Sequence, residues 1–308
     1  MPKFILNCAL TGNIHIPSLS PYVPVTPPDI AAQAVDAANA GASVVHVHGR
    51  NPENGAPSAD LNIMGEIVSR IKARSDVVIN ITTSGGAMAS IEERVSVVPR
   101  FKPELASFNQ GSMNFSIFPL AGRIKEFRHD WEAPYLESSR DWIFRNTFGD
   151  IEKIARIMRE HGTKPEMEIY DMGHIYNAHY ICSQGLIDDP PYFQAVMGIM
   201  GGIAATIPHF IQMRETLDRL MGAGKYHLSA IGAGKDEFAI GLTSVLMGGG
   251  CRVGLEDNLW LSKGRMARSN AELVEKMVRI AGEFGYEPAT PEETRRILGL
   301  KGKDKVAF

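Results

Sequence analysis

Short runs of apolar and β-branched residues recur along the chain at Phe4–Leu10, Ser43–His48, Val77–Thr83, Leu105–Asn109, Glu166–Tyr170, Gln194–Ile199, His227–Ile231 and Arg252–Glu256. Bounded by Gly, Pro and Asn, runs of this length read as buried strands. Most of the intervening stretches carry helix signals. Thr26-Pro27-Pro28-Asp29 places a capping Thr ahead of helix-initiating prolines and leads into an Ala-rich segment ending near Gly41. Ser90-Ile91-Glu92-Glu93 and Ser269-Asn270-Ala271-Glu272 read as capping boxes, Asp150 opens an apolar stripe of Ile151, Ile154, Ala155 and Met158, and Thr290-Pro291 starts one last short helix. Strands alternating with helices imply βα units and a parallel sheet with right-handed crossovers. Eight such units predict an α/β fold, a (β/α)8 TIM barrel spanning residues 1–308 as one domain. The rival is a doubly wound open sheet with a small second domain. A longer irregular stretch, Asn114–Gly149, follows the fourth strand and is expected over the barrel mouth or at a subunit contact.

Composition narrows the class. The 308 residues are 44% hydrophobic, enough for a large core, and a formal net charge of −3 gives no basic field. No Lys/Arg cluster interleaves with aromatics, so nucleic acid is not an expected partner and small molecules are. Cys8, Cys182 and Cys251 are scattered, odd in number and without a CxxC pair, which suits a reducing cytoplasm. No run approaches the roughly 18 apolar residues of a membrane span, and Met1-Pro2-Lys3-Phe4 lacks the look of a signal peptide. The expectation is a cytoplasmic protein with no membrane partner.

The chemistry concentrates at the strand ends. In Val45-His46-Val47-His48 the two imidazoles are two residues apart, so a strand turns both to one face. Two neutral imidazoles are half of a site for a divalent metal such as Zn²⁺, and a carboxylate would complete three protein ligands. In a barrel, functional groups project from the C-terminal ends of strands, and closure sets strand eight one position from strand two. Glu256 and Asp257 then reach the same mouth as the histidines. The two carboxylates differ in strand parity, so they share a face only if the strand ends or bulges there. Glu256 is the better ligand, and Asp257, near Arg252, is the candidate base or a group that orients an imidazole.

Other strand ends are polar too. Thr11-Gly12-Asn13, Thr82-Thr83-Ser84-Gly85-Gly86 and Ser107-Phe108-Asn109-Gln110-Gly111 offer hydroxyls, amides and backbone donors suited to an oxyanion or carboxylate. Glu166 and Glu168 share a face on strand five, where an inward Glu meets either substrate or a structural partner. The Gly232-Ala233-Gly234-Lys235 turn, with Lys225, raises the hypothesis of a phosphorylated or CoA-bearing ligand. His174, His179, His209 and His227 read as core or helix-terminal residues.

Thr11-Gly12, Val45-His46-Val47-His48, Thr83-Ser84-Gly85-Gly86, Asn109–Phe115, Pro165–Tyr170 and Gly254-Leu255-Glu256-Asp257-Asn258 together resemble the β-keto acid cleavage enzymes, a family that includes the 3-keto-5-aminohexanoate cleavage enzyme. The resemblance implies a Zn-dependent TIM barrel that condenses a β-keto acid with acetyl-CoA, giving acetoacetate and a new acyl-CoA. It implies zinc on His46, His48 and Glu256, an acid–base pair of Asp257 and Arg252, and a pocket lined by Thr83 and Ser107. A homotetramer is what the family suggests. One departure bears on the substrate: the aminohexanoate-specific enzyme has an ammonium-binding Glu where this chain has Ile14, so a different acyl tail is expected, with Asn13 or His15 nearby. The competing enzyme reading is a metallohydrolase working without CoA; the non-enzymatic one is a metal- or acyl-CoA-binding module.

Overall fold

The computed structural model describes residues 1–84 and 89–308. Gly85 and Gly86 of the third polar strand end lie outside the described residues. Eight parallel strands close into a barrel, here labelled β1 (Leu6–Ala9), β2 (Val44–Val47), β3 (Val78–Ile81), β4 (Leu105–Asn109), β5 (Lys164–Ile169), β6 (Tyr192–Met197), β7 (His227–Gly232) and β8 (Gly250–Val253). Closure pairs Cys251 of β8 with Leu6 of β1. All eight expected strands are present, and the doubly wound alternative is excluded by that closure. The one boundary that matters for chemistry differs: β8 stops at Val253, so Glu256 lies in the turn beyond it. Gly254 causes the stop. It adopts φ +142°, and a Cβ there would sit 2.1 Å from the Ala9 carbonyl oxygen, so only glycine lets the chain turn against β1.

The helices that open at Thr26, Ser90 and Thr290 form where their caps predict them. In chain order the helices are α1 (Pro27–Asn39), α2 (Leu61–Lys72), α3 (Ile91–Val95), α4 (Val97–Phe101), α5 (Glu132–Ser138), α6 (Phe148–Glu160), α7 (Met172–Ser183), α8 (Ile207–Met221), α9 (Glu237–Leu246), α10 (Asn270–Glu283) and α11 (Pro291–Leu298). Thr26 accepts from the Asp29 N–H at the start of α1, and Ser90 and Thr290 form complete capping boxes. Two starts differ from expectation. Thr147, not Asp150, caps α6, with Asp150 as the reciprocal acid, so Phe148 and Gly149 belong to the helix and not to the preceding irregular stretch. Ser269 caps α10, but the Glu272 carboxylate accepts from the Arg268 N–H instead of completing a box.

Inside the barrel the side chains change character from bottom to top. At the N-terminal end Ile5, Val44, Val78, Leu105 and Tyr192 form an apolar plug closed from below by Leu298 of α11. A bidentate pair of Arg295 on Glu104, Nε–Oε1 2.9 Å and Nη2–Oε2 2.9 Å, fastens α11 to the start of β4. Above the plug the fully buried Glu166 accepts from Asn7 Nδ2 at 3.1 Å and Asn80 Nδ2 at 2.6 Å, a structural role for that carboxylate. Glu168, one inward position higher, opens into the mouth.

The stretch after β4 folds over its own barrel. Met113–Asn114 pairs antiparallel with Ile143–Phe144, and α5 lies between them. The buried Glu132 accepts from the Ser18 N–H at 3.0 Å, and Tyr135 donates its hydroxyl to the Asn13 carbonyl at 3.0 Å. Trp131, Tyr135 and Trp142 pack edge to face at centroid spacings of 5.5 and 4.9 Å. The insertion thereby becomes an aromatic roof. Cys8 and Cys251 are buried and Cys182 half-buried, and all three are free thiols. Among the described residues no helix is long and apolar enough to cross a membrane.

Candidate active site and metal centre

A cavity at the C-terminal mouth is lined by Asn13, Ile14, His46, His48, Thr82, Ser84, Ser107, Phe115, Tyr135, Trp142, Phe144, Glu168, Tyr170, Val196, Ile199, Arg252, Glu256 and Asp257. Its floor is built by backbone geometry. β2 turns both imidazoles inward, bringing His46 Nε2 within 3.1 Å of His48 Nε2. The turn after β8 delivers Glu256 Oε1 to 3.5 Å from His48 Nε2 and 3.8 Å from His46 Nε2. That turn is held from outside: Glu237 of α9 accepts from the Gly254 N–H at 2.9 Å, and Asn270 of α10 accepts from the Leu255 N–H at 2.9 Å. Gly12 makes the last approach. At φ +53° its α-carbon lies so near Glu256 that a Cβ would meet Cγ at 2.2 Å, so no side chain fits there.

These three groups fit a divalent metal. A tetrahedral ion with bonds of about 2.0–2.1 Å has ligand–ligand edges of about 3.3 Å, and the observed separations of 3.1, 3.5 and 3.8 Å bracket that value. Among the described residues His46, His48 and Glu256 are the one His/Cys/Asp/Glu group with ligand atoms close enough to share an ion. Burial pulls the His46 imidazole down to about 3, keeping it in the neutral form that ligates. Burial opposes charge on Glu256, yet Arg252 and the two histidines overrule it and hold its carboxyl well below the usual range. The buried Glu256 Oε2 has no hydrogen-bond partner among the described residues, an orphan acceptor of the kind a cation satisfies. His48 Nδ1 lies 3.2 Å from Asn13 Oδ1, the carbonyl-type partner that fixes a ligating imidazole's tautomer.

Beside this trio one cation faces three acids. Arg252 gives Nε to Asp257 Oδ2 at 2.7 Å and Nη2 to Asp257 Oδ1 at 2.9 Å and Glu256 Oε1 at 2.7 Å; its Nη1 stands 3.7 Å from Glu168 Oε1. The parity conflict between Glu256 and Asp257 disappears because the strand has already ended. A single guanidinium cannot neutralise three buried carboxylates, and protons make up the difference. Burial, opposed by Arg252, pushes Glu168 up to about 8. Burial also raises Asp257 to about 6, against the pull of Arg252 and with the repulsion of Glu256. Asp257 therefore exchanges a proton near neutral pH, and Glu168 holds one there.

Of the residues expected at the site, Asn13, Ser84, Ser107 and Glu168 line the cavity with the His-His-Glu trio, Arg252 and Asp257. Others are elsewhere. Thr83 faces away and ties β3 to β4, its hydroxyl donating to the Ser107 carbonyl at 2.7 Å and its N–H to Ser107 Oγ at 3.2 Å; Thr82, on the opposite parity, takes the cavity position. Asn109 shares the face of β4 that carries Ser107 but is buried and does not line the cavity, its Oδ1 accepting from the Gly111 N–H at 3.3 Å. His15 turns its Nδ1–H to the Leu255 carbonyl at 2.8 Å, outside the cavity. Gly232 is a packing position, where a Cβ would meet the Asp236 carbonyl at 2.7 Å. Gly234 donates to the Asp257 carbonyl at 2.9 Å, buttressing the acid's turn, and Lys235 projects to solvent with its side chain 89% exposed. The far wall joins Phe115, Tyr135, Trp142 and Phe144, from the stretch expected over the mouth, to Tyr170, Val196 and Ile199, which were not anticipated. The density of aromatics between 115 and 144 was its one sequence signal.

Fold and floor define a (β/α)8 barrel with a buried His-His-carboxylate centre and a cavity polar at one end and aromatic at the other. A family model described as beta-keto acid cleavage enzyme matches residues 3–300, and the chain belongs to that family. It is 43% identical over 306 residues to a protein of Paraburkholderia graminis named 3,5-dioxohexanoate:acetyl-CoA acetone transferase, covering 99% of this chain and 98% of the relative. It is 35% identical over 301 residues to the 3-keto-5-aminohexanoate cleavage enzyme of Acetoanaerobium sticklandii, covering 97% and 99% respectively. Among solved structures the barrel resembles ObcA, determined as a ternary complex with a C4-CoA adduct and oxalate, at a TM-score of 0.65 and 20% identity over 91% of this chain and 68% of that one. The likeness to ObcA is one of fold.

Proposed function

We propose that this protein is a Zn²⁺-dependent enzyme that condenses a β-keto acid bearing a neutral acyl tail, of the 3,5-dioxohexanoate kind, with acetyl-CoA, releasing acetoacetate and a new acyl-CoA. One observation carries the reading: the cavity joins the His46, His48, Glu256, Asp257 and Arg252 cluster at its floor to a wall of Ile14, Phe115, Trp142 and Phe144. His46, His48 and Glu256 would hold the ion. When bound, it supplies Lewis acidity to the oxygens of a β-keto acid and lowers the cost of an enolate.

The chain's own groups supply the proton chemistry and the positioning. Asp257, with a carboxyl near 6, is ionised at neutral pH yet basic enough to accept the α-proton of the keto acid. Arg252 grips both of its oxygens and sets their direction. Glu168, protonated near neutrality, can donate to a substrate oxygen without adding charge to the site. The α-carbon then attacks the acetyl thioester and CoA thiolate departs. CoA thiolate then adds to the β-keto carbon of the original acid, scission of the bond between its α- and β-carbons gives the new acyl-CoA and the acetoacetate enolate, and the enolate takes back the proton held by Asp257. Ser84 and Ser107 present hydroxyls to the substrate's polar end. Of the Gly232–Lys235 turn, the solvent-exposed Lys235 is the group free to meet a CoA phosphate, Gly232 and Gly234 being engaged in packing and in the Asp257 turn.

The tail argument rests on what faces the wall. Ile14 lines the cavity where the resemblance puts the ammonium-binding Glu of the aminohexanoate enzyme, and with no carboxylate at that place a buried ammonium costs far more than an uncharged tail. The 43% identical relative is named for a substrate with such a tail. A hydrolase acting without CoA finds no support in the family. The test is elemental analysis together with a panel of β-keto acids, 3,5-dioxohexanoate and 3-keto-5-aminohexanoate among them, incubated with and without acetyl-CoA and scored for acetoacetate. Acetoacetate formed from 3,5-dioxohexanoate only with acetyl-CoA and abolished by a chelator is the expected result. Product without CoA, or a preference for the amino acid, refutes the reading.

A further inference from the structure

Arg50, two residues beyond His48, is fully buried, and among the described residues no carboxylate pairs with it. Its donors go to neutral oxygens: Nε to Thr11 Oγ1 at 2.5 Å, Nη1 to the Gly55 carbonyl at 2.9 Å, and Nη2 to the carbonyls of Thr11, Gly12 and His15 at 2.7, 2.8 and 2.7 Å. A buried charge is retained against its desolvation cost only when its hydrogen bonds are this complete. Four of the five acceptors belong to one loop, the turn after β1. That loop touches the reaction centre at three points. Gly12 packs on the Glu256 side chain, Asn13 sets its Oδ1 against His48 Nδ1 and its Nδ2 on Ser84 Oγ at 3.3 Å, and Ile14 lines the tail end of the cavity. The Asn13 carbonyl also receives the Tyr135 hydroxyl of the aromatic roof.

We propose that Arg50 is a positioning residue that clamps residues 11–15 so that one loop fixes both the metal ligands and the depth of the acyl-tail pocket. The geometry demands the guanidinium fork. An ammonium at the end of a lysine donates from a single point and cannot span from the Gly55 carbonyl to that of His15. With the fork gone, the loop shifts Asn13 off His48 and Ile14 along the pocket, so metal binding and tail selection loosen together.

The inference rests on the proposed function, and the experiment separates the two. R50K is purified, its fold checked by circular dichroism, and three quantities are compared with the wild type: Zn²⁺ affinity by chelator competition, the ratio of kcat/KM for two β-keto acids differing only in tail length, and amide hydrogen exchange at residues 12–15 in metal-free protein. Loss of a partner that orients a metal ligand typically costs 10- to 100-fold in affinity, and a drop of about tenfold is expected here, with the tail-length ratio collapsing toward one and faster exchange at 12–15. A purely structural arginine would lower stability while leaving Zn²⁺ affinity and the tail-length ratio of the folded fraction unchanged, and that result overturns the proposal. Should R50K fail to fold, Thr11→Val removes the Nε acceptor, together with the Thr11 hydroxyl's own hydrogen bond to the Pro24 carbonyl, and leaves the other four acceptors of Arg50 in place; the same shifts in smaller measure are expected, and wild-type values there overturn it equally. If the wild type takes up no Zn²⁺ and shows no CoA-dependent turnover, the functional reading falls; exchange at 12–15 then decides the clamp alone, unchanged exchange in R50K refuting it.

Discussion

Replacing Arg252 with Met keeps most of the side-chain volume and removes the one cation shared by Glu168, Glu256 and Asp257. In metal-free protein this leaves three buried carboxylates without compensation, a class of change that destabilises by about 3–5 kcal/mol. Protons temper the loss, and they make it depend on pH. Asp257 already has its folded-state carboxyl raised to about 6 from 3.8, so its folded state binds the extra proton and its contribution to stability declines as pH rises from 3.8 to 6, then levels off. Without Arg252, whose charge lowers the carboxyls of both Asp257 and Glu168, those values climb further. The decline then continues above pH 6 at up to about 1.4 kcal/mol per pH unit for each proton involved. Urea unfolding of chelator-treated wild type and R252M at pH 5.5, 7 and 8.5, followed by far-ultraviolet circular dichroism, reads the difference. The deficit of R252M is expected to be smallest at pH 5.5, where the loss falls mainly on Glu256, and to widen by about 2 kcal/mol or more toward pH 8.5. A deficit constant across that range would show that the guanidinium does not govern these carboxyls, and the charge argument would be wrong.

His48→Ala removes one of the three proposed ligands, the imidazole that Asn13 steadies; stoichiometric Zn²⁺ retention after gel filtration and the gain in unfolding free energy with added Zn²⁺, about 2.7 kcal/mol at a hundred times Kd, should both disappear, and their persistence would place the metal elsewhere. His15 has its imidazole lowered from 6.5 to about 4, first by burial, so the unfolded chain takes up the proton before the folded one does. Its contribution is intact above pH 6.5 and is lost as pH falls toward 4, about 3 kcal/mol in all. His15→Asn should flatten the acid limb of the stability profile by that amount, and an unchanged limb would contradict the assignment. Leu298→Ala opens the apolar plug at the barrel floor, with an expected cost of about 2–5 kcal/mol in urea unfolding and no change in KM; a shifted KM would mean that floor and mouth are coupled.

Much of the molecule was legible along the chain because it is written in local rules. Alternation and run length mark strands, capping residues mark helix starts, and a two-residue spacing sends His46 and His48 to one face whatever surrounds them. Eight βα units imply closure, and closure alone brings a residue near position 256 to a pair near position 46. The family likewise shows in motifs whose order survives without coordinates.

Other features were settled only in three dimensions. Glu256 and Asp257 meet Arg252 together because Gly254 ends β8 against Ala9, a contact between segments some 245 residues apart. Thr82 rather than Thr83 faces the cavity because register with β4, not residue type, decides which hydroxyl points inward. The aromatic wall exists because the insertion folds back over the mouth, and nothing local in Tyr135 or Trp142 encodes that return. Arg50 carries no signal of its role in the sequence; four of its five acceptors converge on it only when the loop after β1 wraps around the end of β2. Periodicity and caps depend on neighbours a few bonds away, whereas burial, proton affinity and hydrogen-bond satisfaction depend on everything packed nearby.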